Sequence, residues 1–301
     1  GASSVSLRLV TVSALVMFLG TAAAVRFFTG GSWTMAFLIG ALLVATGPTV
    51  ITPIVNVVPM RDHVSAALET EGIVNDVTAA ITAVVVFEIV LLEGYGLQPA
   101  LFSFLERLGV GLGAGLTAGY LVYRLLNSDI VPERDIQVSQ LLVLATAIGA
   151  FAAANTVAAE AGVAAAATGG MLLGNLDIDH REEVEEFLSN MTVVVLSFVF
   201  ISLAALIDIQ AIRELGVAAV GVVLVVMLVL RPLGALIATV GVERFTWPER
   251  LFIAGVGPRG IIPASVATLF AIELEAVGTT EAGQLLVGVV FAGIFSTVAV
   301  E

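Results

Sequence analysis

The chain of 301 residues contains no cysteine, no lysine and only two histidines, and charged residues make up 12% of it. Without cysteine there is no disulfide framework, thiol nucleophile or thiolate metal site. His63 and His180 both fall in stretches read as loops, which leaves no residues for a histidine metal site or haem pair. With no intramembrane His, Cys or Ser-His pair, an enzyme reading has no support, and no cofactor is implied. A soluble globular domain carries roughly 25% charged residues, about twice the share found here. All twelve basic residues are arginine, and against 25 acidic residues they leave a net charge of −13, a sign that excludes nucleic acid as a partner. Two readings of that charge stay open: acidic surfaces suited to a high-salt cytoplasm, or a GC-rich genome that favours Arg over Lys. No signal-peptide pattern precedes the first apolar run.

What the chain does have is apolar length. It is 59% hydrophobic, in continuous runs of the roughly 20 residues that span a bilayer. The runs do not alternate at period two, which excludes a β-barrel. The expectation is an all-α polytopic membrane protein whose immediate partner is the lipid bilayer. Ten crossings are expected, at 7–28, 33–58, 66–92, 101–126, 139–160, 161–174, 190–209, 216–241, 249–273 and 283–300. Arginine position sets orientation. With both ends of the chain in the cytoplasm, the inside ends hold Arg8, Arg61, Arg124, Arg134, Arg181, Arg244 and Arg250, against Arg26, Arg107 and Arg213 outside.

Within the third crossing stands Glu71-Gly72-Ile73-Val74-Asn75-Asp76. Polar groups at that depth are costly unless they face a partner or water, so an ionisable one is a functional candidate. Glu71 and Asn75, four residues apart, share a helix face. Asp76 lies about 100° round from Asn75, so the two line neighbouring sides of one cavity. Glu88, about 18 Å further along, is placed near the outer interface. Gly111, Gly115 and Gly119 form a small-residue packing face on the fourth crossing. Asn155 and Thr156 are expected to hydrogen-bond between helices. Asp177 to Asn190 reads as a short amphipathic surface helix, with Asp179 and Glu182 as its capping box. Arg231, deep in the eighth crossing, either has a buried partner or snorkels to the inner interface.

Two crossings are interrupted by Gly and Pro. The second holds Thr46-Gly47-Pro48-Thr49 and then Thr52-Pro53; the ninth holds Gly255-Val256-Gly257-Pro258-Arg259-Gly260 and then Pro263. Proline removes a backbone donor and clashes with the preceding turn. An opened helix is tolerated in lipid only where its freed groups line a cavity or are buried in protein; for the second crossing taken alone, a simple proline kink is the alternative. Two such crossings in separate halves, running in opposite directions, point to a secondary transporter with inverted repeats and a midplane site. Arg259 is placed to neutralise carbonyl ends there, while Asp76 supplies the negative group.

With three motifs in order, the chain resembles the monovalent cation/proton antiporters of the NhaP and NHE type (the CPA1 group) over nearly its whole length. Thr46-Gly47-Pro48 stands where that family has Thr-Asp-Pro in an unwound helix. Glu71 to Asp76 matches its Glu-x-x-x-Asn-Asp element, and Gly257-Pro258-Arg259-Gly260 its Gly-x-Arg-Gly element. The resemblance implies that Asp76 alternately binds a proton and Na⁺ or K⁺, that Asn75 orients it, that Thr46 contributes near the ion, and that Glu71 pairs with Arg231. It further implies an inverted-repeat fold in the cell membrane, electroneutral exchange by alternating access, and a homodimer in the full-length protein. Members commonly have thirteen crossings, so the chain is expected to be a fragment lacking the first three and any C-terminal regulatory domain, with Gly1 to Leu9 as a linker. Gly47 and Gly72 depart from the family at positions that supply further ligands, which leaves the choice of ion open. A gated cation efflux channel and a transport-inactive fragment are the alternatives.

Overall fold

The computed structural model describes residues 2–47, 51, 58–91, 96–128, 136–205, 209–257 and 259–300. Among these residues there are helices and connecting turns but no strand. Two compact units form, one from residues 1–94 and 203–301 and the other from residues 95–202.

The first unit begins with α1 (Ala2–Arg8), a π-helical turn (Leu9–Ser13) and α2 (Ala14–Thr29), which run on without a break. The stretch expected as a linker is therefore helical, because Val5 and Leu9 have core to bury against. α3 (Trp33–Val44) starts at Ser32, whose hydroxyl accepts the N–H of Met35 at 3.2 Å. α4 (Asp62–Leu91) follows. After the second unit come α9 (Ile209–Val225), interrupted at Gly216 where φ is +48°, a second π-helical turn (Val226–Leu230) and α10 (Arg231–Thr239). Pro232 has no N–H and would clash with the carbonyl one turn back. Widening the preceding turn relieves that clash: the N–H of Arg231 reaches back five residues to Val226 O. α11 (Trp247–Gly255), α12 (Ile261–Ala276) and α13 (Thr280–Val300) complete the unit. Its core joins Leu38, Ile39 and Leu42 of α3 to Phe87 of α4, Phe270 of α12 and Phe291 of α13. Phe87 and Phe270 stack with centroids 4.0 Å apart.

The second unit holds α5 (Leu97–Leu126), α6 (Ile136–Val157) and α7 (Ala161–Asn175), with most of α8 (Arg181–Ala205). α5 packs on α7 through the expected glycines. A Cβ at Gly111 would lie 2.6 Å from Ala161 O, and one at Gly115 would lie 2.4 Å from Ala165 O. Backbone meets backbone here, so no side-chain rotamer change could relieve the overlap. Asn155 closes the turn between α6 and α7 by accepting the N–H of Gly162 at 2.7 Å. Thr156, expected to bond across helices, instead donates to Ala153 O within its own helix. Arg107, assigned to an outside end, is buried near enough to Glu160 for the two charges to interact.

Asp177 to Asn190 is not a separate surface helix. Leu176 to His180 is non-helical, His180 has φ +58°, and from Arg181 a single helix runs to Ala205. Glu182 and Glu183 occupy its first turn, where they favour the positive end of the helix. Arg181 turns back to cap α7, donating to Gly174 O at 3.1 Å and Leu173 O at 3.3 Å, and to Leu176 O beyond its end. The charges read as an amphipathic face are thus the polar first turns of a long apolar helix. His63, expected in a loop, is in the first turn of α4, buried edge-on against Phe245 and 3.4 Å from Glu249.

Among the described residues, five helices are long and apolar enough to cross a membrane by length and composition: Ser4–Thr29, Asp62–Val90, Ile136–Val157, Gly216–Thr239 and Thr280–Thr297. Their outward positions carry Leu15, Leu19, Ile148, Leu224 and Leu228, all exposed. Apolar surface on this scale is stable in lipid and costly in water. The chain is a multi-pass membrane protein.

Candidate functional site

The site is built around two interrupted helices. α3 ends at Val44 and residues 45–47 are non-helical. Ile51 is helical again, its N–H bonded to Gly47 O at 3.3 Å. Pro48, Thr49, Thr52 and Pro53 lie outside the described residues. α11 ends at Gly255; Val256, Gly257, Arg259 and Gly260 are non-helical, and α12 starts at Ile261. Pro258 is also outside the described residues. Both openings fall in the stretches whose sequence is rich in glycine and proline, residues that disfavour a continuous helix.

α4 carries three polar side chains to three different elements. Glu71, 1% exposed, forms a buried ion pair with Arg231 of α10, through Nη1 to Oε1 and through Nη2 to Oε2 at 3.0 Å. Four residues on, the Nδ2 of Asn75 donates to the hydroxyl of Thr46, at the first break, at 3.2 Å. Asp76, one residue further round the helix, faces the second break. A Cβ added to Gly260 would stand 3.2 Å from Asp76 Oδ1 and 2.8 Å from the Cα of Gly47. The two broken segments thus touch, glycine on glycine, beside the carboxylate. A side chain at Gly260 would part them or displace the carboxyl oxygen.

Arg231 does more than pair with Glu71. Its Nε and Nη2 donate to the carbonyl of Val256, at 3.0 and 2.5 Å. That carbonyl lies just past the C-terminal end of α11, where a broken helix leaves partial negative charge. Arg231 thus covers this carbonyl end. Gly257 makes room for this: a Cβ there would be 2.5 Å from Arg231 Nε. Arg259 itself is 1% exposed, among the largest fully buried side chains, and its backbone N–H donates to the Thr297 hydroxyl at 3.3 Å.

Two buried oxygens stand out. Asp76, 5% exposed, and Asn75 each keep an Oδ1 with no hydrogen-bond partner among the described residues. Buried polar atoms are nearly always satisfied, and an exception calls for a functional account. Oxygen acceptors on two successive residues, one of them a carboxylate, suit a proton or a hard monovalent cation. Thr46, Glu71, Asn75, Asp76 and Arg231 converge on the two breaks; Gly257, Gly260 and Thr297 were not singled out as contacts in the sequence. The glycines were visible only as helix breakers. Thr297 gave no signal, because a threonine in a largely apolar helix ordinarily bonds its own preceding turn.

A family model described as sodium/hydrogen exchanger, transmembrane, matches residues 2–300. The probable Na⁺/H⁺ antiporter 2 of Methanocaldococcus jannaschii is 28% identical over 253 residues, covering 80% of this chain and 58% of that protein. A K⁺/H⁺ antiporter, NhaP2, of a Shewanella species is 26% identical over 237 residues, covering 78% of this chain and 41% of that one. The chain therefore spans about half the length of these relatives. A solved structure of the sodium proton antiporter MjNhaP1 from Methanocaldococcus jannaschii at pH 8 superposes with a TM-score of 0.81 at 21% identity, over 99% of this chain and 76% of that one. The chain shares the all-helical fold of that antiporter structure.

Proposed function

Because the chain belongs to the sodium/hydrogen exchanger family, a family of transporters, we propose that it exchanges a monovalent cation, Na⁺ or K⁺, for a proton by alternating access. Relatives named for each ion support both candidates. The observation that carries the reading is the buried carboxyl oxygen of Asp76, without a hydrogen-bond partner among the described residues, where the two broken helices touch. Asp76 holds either a proton or one cation, never both. Asn75, oriented by Thr46, offers a second oxygen, and the Glu71–Arg231 pair fixes α4 against the end of α11. Since one carboxylate trades one proton for one monovalent cation, the cycle moves no net charge.

The protein is placed in the cell membrane with ten crossings in this chain and both of the chain's ends in the cytoplasm. The arginine bias of seven inside to three outside supports that orientation, and the family resemblance supports a homodimer. Everted vesicles carrying the intact protein, acidified inside and loaded with a fluorescent pH reporter, test the exchange. Adding Na⁺ or K⁺ is expected to discharge the pH gradient, at a rate unchanged when the membrane potential is collapsed. Cation flux without proton movement would indicate a channel, and no response to Na⁺, K⁺ or Li⁺ at any pH would sink the reading.

A further inference from the structure

α13 touches both broken helices within one turn of itself. A Cβ at Gly293 would lie 3.0 Å from the side chain of Leu43, next to last in α3 before the first break. Four residues on, Thr297 is 2% exposed and accepts the backbone N–H of Arg259 inside the second break. The threonine hydroxyl is itself oriented, since its hydrogen is directed back to the carbonyls of Gly293 and Ile294, at 3.1 and 2.9 Å. That leaves a lone pair facing Arg259. An unwound segment at membrane depth must find partners for the amides that a helix would have satisfied, and Thr297 supplies one. The next residue, Gly260, is the one whose backbone abuts Gly47 and Asp76 Oδ1.

We propose that Thr297 is a positioning residue for the ion site: its hydroxyl sets the register of the second broken segment, and so holds the Gly260 backbone against Asp76. This inference rests on the exchange reading. It concerns a largely apolar helix, and it gives α13 a task beyond packing. Because α13 contacts the end of α3 and the Arg259 amide within about one turn, a small shift of that amide would widen the gap at Gly260 while leaving α3 in place. Thr297 never touches the ion, so its loss should change how well the site fits the cation more than how fast a filled site turns over.

The test uses T297V, which keeps shape and removes the hydroxyl, and T297S, which keeps the hydroxyl. In vesicles, T297V is expected to raise the apparent KM for the cation about tenfold, the scale of one lost buried hydrogen bond, with a smaller change in maximal rate. Its pH profile should shift as well, and T297S should restore both. Hydrogen–deuterium exchange of the intact protein gives a readout independent of transport: peptides covering 256–261 should exchange faster in T297V and at the wild-type rate in T297S. Unchanged deuterium uptake in T297V, or equal losses in both variants, overturns the proposal while the wild type still transports. A wild type that transports nothing, with faster uptake in T297V, overturns the exchange reading and with it the ion-site role, and leaves only a backbone tether.

Discussion

Asp76→Asn is expected to abolish cation-driven discharge of the pH gradient in everted vesicles, down to the level of vesicles lacking the protein. The change is close to isosteric. It leaves the contact between Gly47 and Gly260 intact, and it places an amide where the unpartnered oxygen stood. Packing should therefore survive, and the variant should be recovered at wild-type yield. What is lost is the ability to be neutral with a proton and negative without one. A neutral amide could hold a cation only by leaving one full charge buried, a cost that the low-dielectric interior does not allow. A folded Asp76→Asn protein that still exchanged ions would show that the coupling carboxylate lies elsewhere.

Glu71→Ala and Arg231→Ala should each do more damage alone than together. Each single change strands a charge in a site where its partner was 1–3% exposed. Breaking a buried pair from one side typically costs about 3–5 kcal/mol, whereas removing both partners is often far milder. Glu71→Ala leaves the guanidinium with the Val256 carbonyl. Arg231→Ala strands the carboxylate and uncovers that carbonyl as well, so the arginine change should be the worse of the two. Thermal unfolding in detergent and vesicle exchange would be compared for wild type, both singles and the double. The expected order of melting temperature is wild type, double, Glu71→Ala, Arg231→Ala. Losses that simply add would mean that the two groups act independently.

Much of this site was legible in the sequence because its chemistry is expensive. Glu71, Asn75 and Asp76 stood out as polar groups in an apolar run, and the spacing placed Asp76 round the helix from Asn75. The two breaks were legible because Gly47-Pro48 and Gly257-Pro258 cannot continue a helix. The partnership of Glu71 with Arg231, 160 residues away, was not readable from spacing and came through the family resemblance. Invisible features were those made by backbone. The carbonyl of Val256 under Arg231, the contact of Gly260 with Gly47 and the amide of Arg259 on Thr297 involve groups that every sequence position carries alike. Charge pattern misled at Asp177 to Asn190, where acidic residues favourable in the first turn of a long helix resembled a separate amphipathic one. His63 was misplaced for a related reason: the polar stretch around it reads as a loop, yet it is the start of α4, closed over by Phe245 and Glu249.

The central claim is that one buried carboxylate holds a proton or a cation in competition. Titrating Na⁺ and K⁺ into the purified intact protein at stepped pH, with calorimetry reading the dissociation constant and the protons released, tests it most directly. One proton is expected to be released per cation bound at low pH. The apparent Kd should rise about tenfold for each pH unit below the titration of Asp76 and level off above it, and Asp76→Asn should abolish the response. A dissociation constant independent of pH across that range, with cation bound and no proton released, would contradict it.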